Sequence, residues 1–224
     1  NRSWMIAVDL IQDDIPLLNL SDDISTAITF FDDYKLDQIP VLEGSKFLGL
    51  IDEEVVLNAI QKSKIKDLKK HFRKEEVLSE KNLFDVLHFF RLGNLTILPV
   101  VDKENNYLGC ICERILLKKL CEILKVENQG GIIHLQIRII DYSLAQIAQI
   151  VEGNGARIIS SLCFPNSSNS KLMEILIKIN QEELSGIIQT FQRYDYKIIA
   201  SFHKNLHKEG LNDRLESFIR YLNI

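Results

Sequence analysis

A block of sequence recurs at a fixed offset of 59 residues, and this repeat constrains the fold more than any other feature of the chain. Ile24, Ala27, Ile28 and Phe31 carry the i, i+3, i+4, i+7 spacing of one helix face, and Leu83, Val86, Leu87 and Phe90 repeat it. The same offset brings Leu36 onto Leu95 and Ile39-Pro40-Val41 onto Leu98-Pro99-Val100. After one extra residue in the second copy, Phe47-Leu48-Gly49-Leu50-Ile51 aligns with Tyr107-Leu108-Gly109-Cys110-Ile111. Each copy reads helix, strand, turn, strand, helix. Ser21 stands where it can cap the first helix, and Glu43-Gly44-Ser45 and Lys103-Glu104-Asn105-Asn106 are the turns between strands. One such unit buries little apolar surface alone, so the two copies are expected to share a core.

The repeat gives way to a different pattern at Glu127-Asn128-Gln129-Gly130-Gly131, after a helix through Leu116, Leu117, Leu120 and Leu124. A strand is expected over 132–140, then a helix with Leu144, Ile147, Ala148 and Val151 on one face, ending at Gly153-Asn154-Gly155. Strands follow at 156–164 and 173–179, then a helix carrying Leu184, Ile187, Ile188 and Phe191, and a last strand at 197–202. Strand-helix-strand-strand-helix-strand is the ferredoxin-like layout, and the fold class is α/β (α+β). Leu211, Leu215, Phe218, Ile219 and Leu222 then share one face of an amphipathic tail helix. The expected domains are residues 5–126, with repeats at about 5–62 and 63–126, then 131–203, then the tail at 208–224.

The twice-repeated Leu-x-x-Ile/Leu-Pro-Val, each followed by a turn and aromatic-Leu-Gly-apolar-Ile, resembles the CBS domain, which occurs in tandem pairs. The resemblance covers roughly residues 5–126. It implies a dimerising regulatory module, with an adenine nucleotide or S-adenosylmethionine as the candidate ligand of the cleft between repeats. The spacing Leu144-Ala145 to Gly155-x-x-Ile158 is similar to ACT domains, over about residues 131–203, and implies an amino-acid ligand at an interface between modules.

Nucleotide-binding CBS repeats follow the strand-ending Gly with a Thr or Ser and, three residues on, an Asp or Asn. The hydroxyl suits phosphate, and the carboxylate accepts from ribose hydroxyls. Here Asp52 and Val55 stand at those positions in repeat one, and Cys112 and Ile115 in repeat two. Three consecutive acids at 52–54 repel phosphate, which makes repeat one a poor nucleotide site, whereas Arg114 in repeat two can pair with one. The residues this resemblance singles out are therefore Asp52, Cys112 and Arg114. The plain structural alternative makes Asp52 a helix cap and Arg114 a solvated charge. In the ACT-like segment the candidate contacts are Asp141, Ser143 and Asn154, in a turn without the family's Pro-Gly. Their structural alternative is Ser143 as an N-cap and Gly155 as a helix terminator.

Composition excludes several classes. Apolar stretches are interrupted by charge too often to span a bilayer and no secretory leader is evident, with Met5 one candidate for a native start; the expectation is a cytoplasmic protein with no membrane partner. Residues 1–60 hold 3 basic against 12 acidic side chains and residues 61–127 hold 14 against 10, with no basic stripe for nucleic acid. The four cysteines form no C-x-x-C pair and are expected to be reduced, and His203-x-x-x-His207 lacks an acidic or thiol neighbour to complete a metal site. No catalytic constellation is legible. The expected protein is a non-catalytic homodimeric sensor, answering to a small-molecule effector or an unidentified protein partner by rearranging its domains, with repeat one of one subunit facing repeat two of the other. A structural interaction module with empty pockets is the alternative.

Overall fold

The computed structural model describes residues 6–202, apart from Asp13 and Gln61. Met5, His203, His207 and the tail at 208–224 lie outside the described residues. The fold divides after Leu120 into two compact units.

In the first unit, β1 (Leu18–Asn19) leads to α1 (Ile24–Tyr34), then to the hairpin of β2 (Gln38–Glu43) and β3 (Lys46–Asp52), then to the short α2 (Glu53–Leu57). The second copy repeats the order as β4 (Val77–Leu78), α3 (Leu83–Gly93), β5 (Ile97–Val101), β6 (Tyr107–Cys112) and α4 (Glu113–Ile123). In each sheet the first strand pairs in parallel with the second, and the second and third are antiparallel. The helix faces expected from spacing are the buried ones: Ile24, Ala27 and Phe31 on α1, Leu83 and Val86 on α3. Both helices stop at a left-handed residue, Lys35 at φ 52° and Asn94 at φ 46°, where the chain turns into the next strand. Asn82 caps α3, accepting from Phe84 and Asp85. Ser21 does not cap α1: the N-cap is Asp23, whose side chain makes no capping bond and lies 3.5 Å from Lys64 Nζ.

The copies interlock. The Leu50 amide donates to the Arg73 carbonyl, and the Gln12 amide donates to the Cys110 carbonyl, each at 2.8 Å. The stretch leading into each repeat thus seals the sheet edge of the other. The two hairpin turns also meet, with the Tyr107 amide donating to the Ser45 carbonyl at 2.8 Å.

The second unit contains β7 (Gly131–Arg138), α5 (Leu144–Gly153), β8 (Ile158–Pro165), β9 (Leu172–Ile179), α6 (Ser185–Arg193) and β10 (Lys197–Phe202). Its antiparallel sheet runs β10-β7-β9-β8, the ferredoxin-like order. The expected first strand stops at Arg138, since Ile139–Asp141 tighten into a 3-10 turn. Ile133, Leu135, Ile175 and Ile177 point from the sheet to Ile147, Val151, Ile187 and Phe191 on the helices, all fully buried. Each such side chain stabilises the fold by roughly 1.5–3 kcal/mol.

Candidate functional site

Gln38 is the single buried polar side chain of the described core, at 3% exposure. It opens β2, at the position where β5 carries Ile97, and it organises the junction between the repeats. Its amide nitrogen donates to Asp52 Oδ1 at 2.9 Å and to the Asn94 carbonyl at 3.3 Å, while its amide oxygen accepts from the Thr96 backbone at 3.1 Å. Asp52 closes β3 and is the N-cap residue of α2, yet its side chain makes no capping bond. The carboxylate is held instead by Gln38 and by Arg73 Nη1 at 3.6 Å. Arg73 also donates to Glu75 at 2.8 Å and to the Gly93 carbonyl. Its hydrogen bond to Glu75 raises its pKa and lowers that of Glu75. One guanidinium therefore ties the end of repeat one, the connecting stretch and the α3–β5 turn of repeat two.

Repeat two lacks this network. Cys112 ends β6 at the place of Asp52, 9% exposed, and Gln12 stands at the edge where repeat one has Arg73. Burial raises the Cys112 thiol, which Arg114 partly offsets. Arg114 is exposed in the first turn of α4, with no ion pair among the described residues. Val55 and Ile115, at the ribose positions of the CBS pattern, are apolar, and Val55 packs against the repeat-one core. Asp52 as a plain cap is thus corrected to Asp52 as a partner of Gln38 and Arg73. Arg114 stays a solvated charge.

In the second unit the three candidate contacts do not converge. Asp141 pairs with Arg138 at 2.5 Å in the 3-10 turn, and Ser143 caps α5 by accepting from the Gln146 amide at 3.2 Å. Asn154 sits at the other end of α5, ~16 Å along the helix axis from Ser143. It donates to the Ile150 carbonyl at 2.7 Å and to Thr190 at 3.2 Å, and it borders a cavity of about 230 Å³ shared with Gln149, Arg193 and Tyr194.

The residues that spacing did not single out are Gln38, Arg73 and Glu75. A signal existed for the first: a polar residue opening a strand before four apolar ones, with Ile97 as its counterpart. Among the described residues no group of three His, Cys, Asp or Glu could hold a metal, and no helix is long and apolar enough to cross a membrane.

Residues 7–62 match the family model of the CBS domain. Among solved structures, a CBS domain pair/ACT domain protein from Thermotoga maritima is 22% identical, with a TM-score of 0.49 over 54% of this chain and 99% of its own. CBSX2 in complex with AMP is 15% identical, with a TM-score of 0.46 over 53% and 98%. The cytosolic domain of the Mg2+ channel MgtE in complex with ATP is also 15% identical, with a TM-score of 0.46 over 52% and 49%. No curated protein sequence matches. The family match thus falls on the first copy, and the second copy repeats the same elements in the same order.

Proposed function

We propose that this chain is a non-catalytic regulatory module in which a small effector of the adenosyl class, a nucleotide or S-adenosylmethionine, enters the repeat-two side of the CBS pair and alters what the module presents to a protein partner. The observation that carries this reading is the asymmetry of the pair. On the repeat-one side, Gln38, Asp52 and Arg73 satisfy one another across the junction. The matching side carries Ile97, Cys112 and an exposed Arg114 that can meet a phosphate or carboxylate. A ligand that favours one arrangement of such a module shifts its population by its differential affinity.

Self-association is supported by exposed apolar side chains on the repeat-ending helices and their flanks, Leu57 at 60%, Ile60 at 77% and Leu117 at 61%. An amino-acid effector on the ferredoxin-like unit fits the cavity beside Asn154 and Arg193 better than the Asp141–Ser143 turn, whose polar groups already have partners. A second reading, an interaction module whose pockets stay empty, is favoured by Val55 and Ile115, which leave no carboxylate for a ribose.

Thermal unfolding of the full chain with adenine nucleotides, S-adenosylmethionine and the twenty amino acids separates the readings, because a ligand of the folded state raises its melting temperature. The expected result is a saturable rise with one adenosyl compound, abolished by Arg114→Ala. No rise with any compound at millimolar concentration overturns the sensor in favour of the interaction module.

A further inference from the structure

The groove between α5 and α6 is lined by neutral amides, Gln146 and Gln149 from the first helix and Gln189 and Gln192 from the second, and Arg193 is the one charged side chain among its described lining residues. It holds the cavity of about 230 Å³ beside Asn154, smaller than the ~300–1,000 Å³ pockets that take drug-sized ligands. Past Asn154, Thr190 and Arg193, which border both parts, it continues as a wider depression.

Internal hydrogen bonds fix which groups of the groove are left for a ligand. Thr190 Oγ1 accepts from Asn154 Nδ2 at 3.2 Å and from Arg193 Nη2 at 3.1 Å, and it donates to the Gly186 carbonyl at 2.8 Å. Asn154 Nδ2 also donates to the Ile150 carbonyl, so that side chain offers its Oδ1 as an acceptor. Gln146 Oε1 accepts from the Tyr196 hydroxyl at 2.8 Å, which turns its amide N–H groups over to the groove. Arg193 keeps the rest of its guanidinium fork, and no acidic side chain lines the groove to neutralise it. Gly186 leaves the acceptor room: a Cβ there would lie 3.2 Å from Asn154 Oδ1.

We infer that this groove is a site for a small monocarboxylate with a neutral polar remainder, a hydroxy or keto acid, held by Arg193. The site rests on the reading of that cavity as an effector site and narrows its ligand away from amino acids. The planar fork of an arginine matches a carboxylate, and one cation balances its single charge. A phosphomonoester, at about −1.5 to −2, would stay half-compensated. A zwitterionic amino acid would set its ammonium next to the guanidinium with no carboxylate of the protein to offset it. A hydroxyl or carbonyl at the same place is neutral, and the glutamine amides and Asn154 Oδ1 supply both donors and an acceptor to meet it.

Isothermal titration calorimetry of the full chain tests it with L-lactate and L-alanine, which differ only in carrying a hydroxyl or an ammonium on the same carbon, and with the uncharged lactamide. The expected result is saturable binding of L-lactate at one site per chain, L-alanine weaker by about tenfold or more, and no binding of lactamide. Arg193→Gln, at an exposed position, abolishes the lactate heat while its melting temperature stays at the parental value, which separates a lost site from a lost fold. Gly186→Ala weakens lactate binding, and Arg114→Ala leaves it unchanged. Alanine binding as tightly as lactate overturns the ligand class and leaves the cavity an amino-acid site. Lactate heat that survives in Arg193→Gln, or no saturable heat with any of the three at millimolar concentration, overturns the groove as a carboxylate site and the effector reading of this cavity with it.

Discussion

The backbone amides and carbonyls of Leu50 and Arg73 exchange two hydrogen bonds, each 2.8 Å long, so that a residue on the way into the second repeat completes the sheet of the first. A sheet edge left open is a template for unwanted pairing, and this reciprocal pair closes it. The same exchange sets the close approach next to it. A Cβ on Gly49 would lie 2.5 Å from the Arg73 carbonyl oxygen and 2.7 Å from Phe72 Cβ.

Gly49→Ala is therefore expected to cost about 3 kcal/mol or more, since it combines a backbone clash with a φ of +151° that side chains rarely adopt. Gly155→Ala, at φ +77° with open space around it, is expected to cost only about 1 kcal/mol. Urea unfolding of both variants checks the contrast, and equal losses would refute the account of Gly49 as a point of interlock.

Arg73→Ala removes the cation that Asp52, Glu75 and the Gly93 carbonyl share. The expected loss is about 2 kcal/mol for this partly exposed cluster, confined to the unfolding of the first unit. Asp52→Asn alone is expected to cost less, because Gln38 still donates to the remaining oxygen. A double-mutant cycle between the two sites measures the coupling, expected at about 0.5–1 kcal/mol, and a value of zero would mean that the 3.6 Å approach contributes nothing.

The repeat and its helix faces were legible because periodicity reports burial directly: Ile24, Ala27 and Phe31 could be read as one face before any strand was placed. The Arg73 network was not legible, because its members lie 14, 21 and 35 residues apart along the chain and meet only through the interlock. The position of Asp52 beside the strand-ending glycine was readable, but its choice of Gln38 over the α2 amides depends on a neighbour that no local rule pairs with it. The end of the first strand of the ferredoxin-like unit was likewise hidden. Ile139 and Ile140 continue the apolar pattern, yet they turn outward with 44% and 84% exposure where the backbone tightens.

Acid should loosen the first unit through Glu75. Its hydrogen bond from Arg73 holds the folded pKa below the ordinary 4.5, so the contribution is complete above that value and disappears as pH falls through the folded one. Glu76 acts in the opposite sense: burial raises its pKa, and its charged form costs stability at neutral pH. Urea midpoints between about pH 6 and pH 3 are expected to fall less steeply in Glu75→Gln than in the parent, and Glu76→Gln is expected to stabilise the protein near pH 7. A parallel fall in parent and Glu75→Gln would remove Glu75 from the acid response.

Thiol chemistry offers a readout of the repeat-two side that needs no ligand. Cys110 is fully buried, and desolvation pushes its pKa up to about 12, while Cys112 is raised by the same cause. Only the thiolate alkylates readily, so both are expected to resist iodoacetamide near pH 8 in the folded protein. Cys163 is exposed on β8, with its sulfur 3.4 Å from the Tyr142 hydroxyl, and is expected to react first. Peptide mapping after timed alkylation should show Cys163 modified, with Cys110 and Cys112 following only when urea opens the first unit. If Cys112 instead alkylates as fast as Cys163 in native protein, the end of β6 opens to solvent without global unfolding, and the repeat-two side has the local mobility that entry of an effector requires.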